Sequence, residues 1–413
     1  MKKSLYFNTK IACYLGYVIQ AVVNNLLSLF FVVFNAKPYG ISLEHLGRLV
    51  LYNFLAQLAI DLFSVYIVPK FGCKNCVIIA QIMSALGFVS MGLLPRIISP
   101  YYGLLISVLA LATGSGFIEV LISPIVEALP NDNKSGSMSF LHSFYCWGQV
   151  LTVVVTTLFI LIFGKDKWYY IAFLWSILPI INTLLFYKAD IIDLNSDSSE
   201  NLKSPFSVFK EKNLYIYFLF MVCAGATELS MAQWSSFFIE TGFGVSKWLG
   251  DLIGPCFFAV LMGIGRMSFG FLGDKIKLER VLLAGSALCV VCYLTVALST
   301  NSVVCVFACG FCGLGVSIMW PGVLSLAAKN CRNKSTSVFS FMALFGDLGC
   351  SIGPWLIGFI ADFTVLNAAP EKLLRLFGMN INQFALHSGF LVCAVFPLIM
   401  FAFSLPTALK KQT

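Results

Sequence analysis

Charge is what this sequence has least of. Only 11% of its 413 residues are Asp, Glu, Lys or Arg, against about a quarter in a soluble protein. A chain this long with so few charges does not turn most of its surface to water. Histidine is scarcer still: His45, His142 and His387 stand far apart in the sequence. They assemble no nucleophile–base pair and no metal set, which argues against a membrane enzyme and leaves no cofactor or metal to expect. Regular alternation of polar and apolar residues is also missing, so closed barrels are excluded. Long polar tails are absent as well. The ends at Met1–Lys10 and Leu409–Thr413 are too short for the folded output module that a solute sensor would carry.

Cysteine is not lacking, but it is dispersed. Fourteen are scattered through apolar runs, with C-x-x-C spacing at Cys73/Cys76, Cys289/Cys292 and Cys309/Cys312. No second pair or histidine completes a metal site beside them, and cysteine is an ordinary buried apolar residue.

What the chain does have is 59% hydrophobic residues, gathered in long runs. Each run is long enough to cross roughly 30 Å of hydrocarbon as a helix. Because the runs are apolar all round, their backbone groups can be satisfied only within helices. The first, Ile11 to Asn35, comes after a basic start but is too long for a signal-peptide core, so it reads as a membrane helix. Twelve spans are predicted: 11–35, 43–67, 75–95, 100–128, 138–163, 168–188, 213–240, 249–272, 281–299, 303–328, 336–361 and 385–408. The longest polar interruption, Tyr187 to Lys212, divides them six and six. The expected organisation is therefore a bundle over 1–188, a cytoplasmic linker over 189–212 and a second bundle over 213–413, as an all-α membrane protein.

Lys and Arg set the orientation. With the N-terminus inside, eighteen fall in cytoplasmic segments, eight in outer ones, and Arg266 lies within a span. That bias places both termini in the cytoplasm of a plasma-membrane protein. The net charge of +8 then reports loop bias, and no nucleic-acid partner is implied.

The halves repeat each other. Asn133-Lys134-Ser135-Gly136-Ser137 returns as Asn333-Lys334-Ser335-Thr336-Ser337, each before the fifth span of its half. Gly114-x-Gly116 with Pro124 returns as Gly313-x-Gly315 with Pro321, and the loop at Pro69-Lys70 returns at Asp274-Lys275. Six-span repeats with a site near mid-membrane are a common plan of secondary transporters.

Ionisable groups inside spans are costly and rarely idle. Glu119 on the fourth span and His142 on the fifth lie at similar depth across a short loop. Together they are expected to take up and release a proton. Tyr145 and Gln149 share the His142 face of the fifth span. Glu228 and Gln233 on the seventh span, Asn24 and Asn25 on the first, and Trp320 on the tenth are expected to contact a polar solute. Flat aromatics beside amides and carboxylates suit a polyhydroxylated one. On the second span Asn53, Gln57 and Asp61 recur at i, i+4, i+8. For the two amides, packing by interhelical hydrogen bonds is as well motivated as function. Asp61 and Arg266, at equivalent places in the two halves, are expected to gate, as is the buried acid Asp347.

This pattern resembles the major facilitator superfamily over nearly the whole chain. The signature loop of that family falls between spans two and three, where Lys70, Gly72 and Lys74 match and Pro69 stands at the acid position; the second-half copy keeps Gly270, Asp274 and Lys275. The resemblance implies a gating role for these residues. Within the family the chain is most similar to the fucose permease group of proton–sugar symporters. The match lies in Asn24-Asn25-Leu26, in Gly114, Gly116, Glu119 and Pro124, and in His142-Ser143-Phe144-Tyr145-Cys146-Trp147-Gly148. Glu119 aligns with that group's coupling acid. The group's first-span acid falls at Ser28, and its fifth-span amides fall at His142 and Tyr145.

These readings converge on a monomeric secondary active transporter of a small polar solute, a sugar above others, moved with protons by alternating access. The alternatives are an uncoupled facilitator, an exporter of another solute, and a membrane sensor that moves nothing.

Overall fold

A computed structural model of the chain describes residues 6–129, 134–191, 209, 211, 214–272, 277–330, 336–367, 374 and 378–409. Among these residues the secondary structure is helical, and twelve helices are long and apolar enough to cross a membrane. They are α1 (Phe7–Asn35), α2 (Leu43–Phe71), α3 (Cys73–Leu93), α4 (Pro100–Ala128), α5 (Lys134–Phe163) and α6 (Trp168–Lys188). After them come α7 (Leu214–Phe243), α8 (Lys247–Phe269), α9 (Leu278–Leu298), α10 (Ser302–Ala327), α11 (Thr336–Leu366) and α12 (Ile381–Pro406). Large apolar side chains such as Phe63, Ile97, Ile162, Leu184, Val303 and Phe363 are exposed, as a surface meeting hydrocarbon requires. Most of the expected linker, along with Asn133, Asn333, Asp274 and Lys275, lies outside the described residues.

The chain forms two compact units, residues 1–30 with 52–203 and residues 31–51 with 204–413. In the first, α1 packs on α4, α5 and α6, while α3 packs on α4 and α6. In the second, α7 packs on α10, α11 and α12, while α9 packs on α10 and α12. These five pairings match when helices are shifted by six, so the repeat seen in short sequence motifs is also a repeat of packing.

Small residues set the depth of these contacts. A Cβ at Gly148 of α5 would press on Val18 and Ala21 of α1; one at Gly349 of α11 would collide with the backbone of Val222 and Ala226 on α7. Gly148 and Gly349 are thus counterparts. Matching Val18 to Val222 places Asn24 of α1 opposite Glu228 of α7 in the alignment of halves. The paired glycines of α4 and α10 differ in detail: Gly114 backs α3 and Gly116 backs α2, whereas Gly313 backs α8 and Gly315 backs α9. Since Val222 offers backbone rather than a side chain that could swing aside, Gly349→Val should abolish the monodisperse peak of purified protein in size-exclusion chromatography. Wild-type behaviour of that variant would contradict the α7–α11 seam.

Three helices are irregular where their sequences make them so. In α1 the Asn25 amide bonds back to the Ala21 carbonyl and Ser28 Oγ to the Asn25 carbonyl, both at 2.8 Å. Such local side-chain bonds compete with the helix ladder, and Ser28–Phe30 tightens into a 3-10 turn. In α8 Pro255 lies within a π-helical stretch, Leu252–Cys256. In α10 the helix runs from Ser302 to Val316 and resumes at Met319. Pro321 has no N–H to offer the carbonyl of Ser317 four residues back.

Candidate functional site

Within the first unit, Glu119 sits midway along α4 and accepts a hydrogen bond from Gln20 Nε2 of α1 at 2.9 Å. One turn on, Ser123 shares a 2.8 Å hydrogen bond with the Tyr17 hydroxyl. The Tyr17 ring lies 5.1 Å from that of His142, on α5. Glu119 and His142, expected together from sequence, are therefore both set against one face of α1, which carries Tyr17 and Gln20. Neither α1 residue was legible as a site residue. The available signal was weak: a lone Gln in an apolar run, one turn after a Tyr.

Lower in cost but larger in extent is an amide network beside it. Asn24 Oδ1 accepts from Asn53 Nδ2 at 3.2 Å and from Gln57 Nε2 at 3.0 Å, and Ser115 Oγ donates to Gln57 Oε1 at 2.8 Å. These four buried side chains join α1, α2 and α4. The packing reading of Asn53 and Gln57 is the one this geometry favours, and it takes in Asn24 as well. Asn25 is bonded within its own helix. Gln149 is buried on α5, and its Nε2 has no hydrogen-bond partner among the described residues. Tyr145 is half-buried on the same helix.

Near the start of α3, Gly72 has φ +79°, a conformation that favours glycine. It turns the chain between α2 and α3, with Lys70 exposed at the end of α2. Lys74 Nζ donates to the Ala189 carbonyl at 2.8 Å, tying this turn to the end of α6. Asp61 is half-buried on α2. Gly270, in the second-half copy, falls in the last turn of the helix Phe257–Leu272.

In the second unit, Glu228 of α7 is met by Arg266 of α8. Arg266 Nη2 lies 3.3 Å from one carboxylate oxygen and 3.4 Å from the other. The side chains are 18% and 9% exposed for Arg266 and Glu228. Arg266 Nε points at the Ser317 carbonyl, 3.4 Å away, the carbonyl that Pro321 leaves without a helical donor. Glu228 thus stands where Asn24 stands in the first unit, and Arg266 where Asp61 does. Sequence placed Glu228 and Arg266 in different roles and did not join them. Gln233 and Asp347 are buried, and Trp320 is half-buried, packed on Gly346 of α11.

A second cluster in this unit was missed altogether. Asp362, near the end of α11, accepts from the backbone N–H of Leu43 at 3.3 Å and of Glu44 at 2.7 Å. It caps the N-terminus of α2, where unpaired N–H groups and the helix dipole favour a carboxylate. Trp355 Nε1 donates to Glu44 Oε1 at 3.2 Å, and Arg48 Nη2 to the same oxygen at 2.6 Å. Gly47 and Gly358 let the backbones come close. Asp362→Ala removes an acceptor worth about 1 kcal/mol. Amide exchange at Leu43 and Glu44 should then quicken severalfold, and unchanged exchange would show that this cap does not hold the segment.

Comparisons with other proteins agree with this architecture. The sequence profile described as Major Facilitator Superfamily matches residues 13–354. An uncharacterized MFS-type transporter of Yersinia pestis is 26% identical over 343 residues, covering 82% of this chain and 85% of that protein. Among solved structures, the nucleoside transporter NupG superposes with a TM-score of 0.72 at 13% identity, covering 98% of this chain and 100% of that one. The fucose:proton symporter FucP of E. coli gives 0.64 at 18% identity, covering 99% and 100%. With twelve apolar helices, a packing repeat of six and a family match over most of its length, the chain belongs to the Major Facilitator Superfamily and is a multi-pass membrane transporter.

Proposed function

We propose that the protein is a proton-coupled symporter of a small polar solute of the sugar class, working by alternating access with both termini in the cytoplasm. The observation that carries this reading is the contact of Glu119 with Gln20. A carboxyl group inside a membrane helix is expensive, and here its hydrogen-bond partner is a neutral amide. An amide N–H can donate to a carboxylate or to the carbonyl oxygen of the protonated acid. Glu119 can therefore gain and lose a proton without losing its neighbour, which a coupling residue requires and a static ion pair does not. His142, beside Tyr17, stands ready as a relay.

Solute contacts are assigned to Gln149 and Tyr145 in the first unit and to Gln233 and Trp320 in the second. The unpartnered Gln149 Nε2 gives a hydroxylated solute a donor. Gating is assigned to the α2–α3 turn at Lys70, Gly72 and Lys74 and to Asp347, with the Asp362 cap as a further clasp. The test is solute-induced alkalinisation of lightly buffered medium around de-energised cells. The wild type should raise the pH when its sugar is added, and Glu119→Gln should not. Equal alkalinisation by both would remove Glu119 from the coupling step.

A further inference from the structure

Resting on that reading of a polar-solute symporter, the Arg266–Glu228 pair narrows the class of cargo. Three features of the pair bear on it. The guanidinium is anchored through Nε, turned to the Ser317 carbonyl at 3.4 Å. Its contact with Glu228 is long, one Nη2 straddling two oxygens at 3.3 and 3.4 Å. Arg48 in the same unit holds a single Glu44 oxygen at 2.6 and 2.9 Å through two nitrogens, a closer contact, in the range of charge-assisted bonds. Arg266 is thus anchored and oriented, yet loosely matched to its internal carboxylate. Glu228 also lies where the first unit has the neutral amide Asn24, and Arg266 where it has the acid Asp61.

We propose that Arg266 docks the cargo and that the cargo is a hydroxylated carboxylate, a sugar acid, whose carboxylate exchanges with that of Glu228. Breaking a buried pair by removing one partner is costly because a lone charge remains. An incoming carboxylate removes that cost for Arg266. Glu228, released, takes a proton from water, and the site keeps the charge it had: one guanidinium and one carboxylate before, one guanidinium and one carboxylate after. That proton balances the cargo's own charge and is separate from the one Glu119 carries, so a sugar acid enters with one proton more than a neutral sugar does. A phosphate monoester fits less well, since its charge of about −1.5 to −2 at neutral pH exceeds the single positive charge that Arg266 supplies. Among the described residues, the ionisable side chains on helices packed around this stretch of α7 include Tyr293 of α9, whose hydroxyl donates to the Thr227 carbonyl, Cys289 of α9, Cys312 of α10, Asp347 and Cys350 of α11, and Cys393 of α12. None of them brings a second cation to compete for the carboxylate.

The test uses purified full-length protein in detergent, with D-glucuronate and D-glucose as probes and melting temperature as readout. In the wild type, D-glucuronate should raise the melting temperature more than D-glucose does. Glu228→Gln removes the internal competitor, so the apparent Kd for glucuronate should fall about tenfold. In the double variant Glu228→Gln/Arg266→Gln the buried charges leave together, which keeps the protein foldable. There the glucuronate response should weaken by ~30-fold or more, with the glucose response unchanged. A purely structural pair would make Glu228→Gln and Arg266→Gln alike, both less stable and neither altered in preference. A glucuronate response that survives in the double variant overturns the assignment. So does a wild type that answers to glucose and not to glucuronate, which leaves the sugar-symporter reading standing. No response to either probe overturns both.

Discussion

Glu119→Gln should uncouple transport of a neutral sugar and leave movement intact. With an inward gradient of one pH unit, one proton per solute supports about tenfold accumulation, because one unit is 1.36 kcal/mol. The variant should bring a neutral sugar only to equal concentrations on the two sides, and should lose that tenfold share of the accumulation of a sugar acid. Exchange of labelled for unlabelled solute should continue in it, since exchange needs no net proton movement. The physical reason is the contact with Gln20 at 2.9 Å. A glutamine at 119 mimics the protonated acid in shape and charge, and it still offers Gln20 an acceptor. What it cannot do is release a proton. Accumulation of a neutral sugar above equilibrium in the variant would mean that the coupling proton is carried elsewhere.

The second large effect is on stability. Arg266→Leu leaves the Glu228 carboxylate, 9% exposed, without its cation. Removing one member of a buried pair costs about 3–5 kcal/mol. The variant should lose most of its melting stability in detergent and give little folded protein in membranes. Arg266→Leu/Glu228→Leu removes both charges and should recover most of the loss, because an apolar pair of similar volume is often as good. The two substitutions are then strongly non-additive, as expected for side chains in direct contact. Additive losses would mean that the two groups do not depend on each other.

The helices were legible in the sequence, and the azimuths of their side chains were not. The fourth span, expected over 100–128, is the helix Pro100–Ala128, since a proline suited to a first turn opens it and apolar residues fill it. The fifth, expected from 138, begins at Lys134. Its polar start, Lys134-Ser135-Gly136-Ser137, looks like loop by composition and is helix by continuity with the apolar run behind it. Glu119 stood out because a carboxylate in an apolar run is costly wherever it points. Gln20, 99 residues earlier, did not. Tyr17, Gln20 and Asn24 share one face of α1, but nothing in the sequence says which helix that face meets.

The same blindness separated Glu228 from Arg266. It also hid the grouping of Phe31–Leu51 with the second unit. Sequence order assigns that segment to the first six spans. Its partners, Asp362, Trp355 and Gly358, lie more than 300 positions away. Asp362 reads from sequence as one more acid near the end of a span. Only the backbone N–H groups of Leu43 and Glu44, which belong to every helix start and are marked by no residue type, reveal its use. The halves repeat faithfully in packing because glycines such as Gly148 and Gly349 fix how close helices come. They diverge in chemistry where Asn24 and Asp61 of one unit are replaced by an ion pair in the other.

Coupled uptake can be read most directly in proteoliposomes containing only this protein, loaded at pH 7.5 and diluted into pH 6.5 with labelled sugar or sugar acid. The wild type should concentrate the label inside, and a protonophore should discharge it back to the outside level. A label that merely equilibrates, at the same rate with and without the protonophore, would contradict a proton-driven symporter.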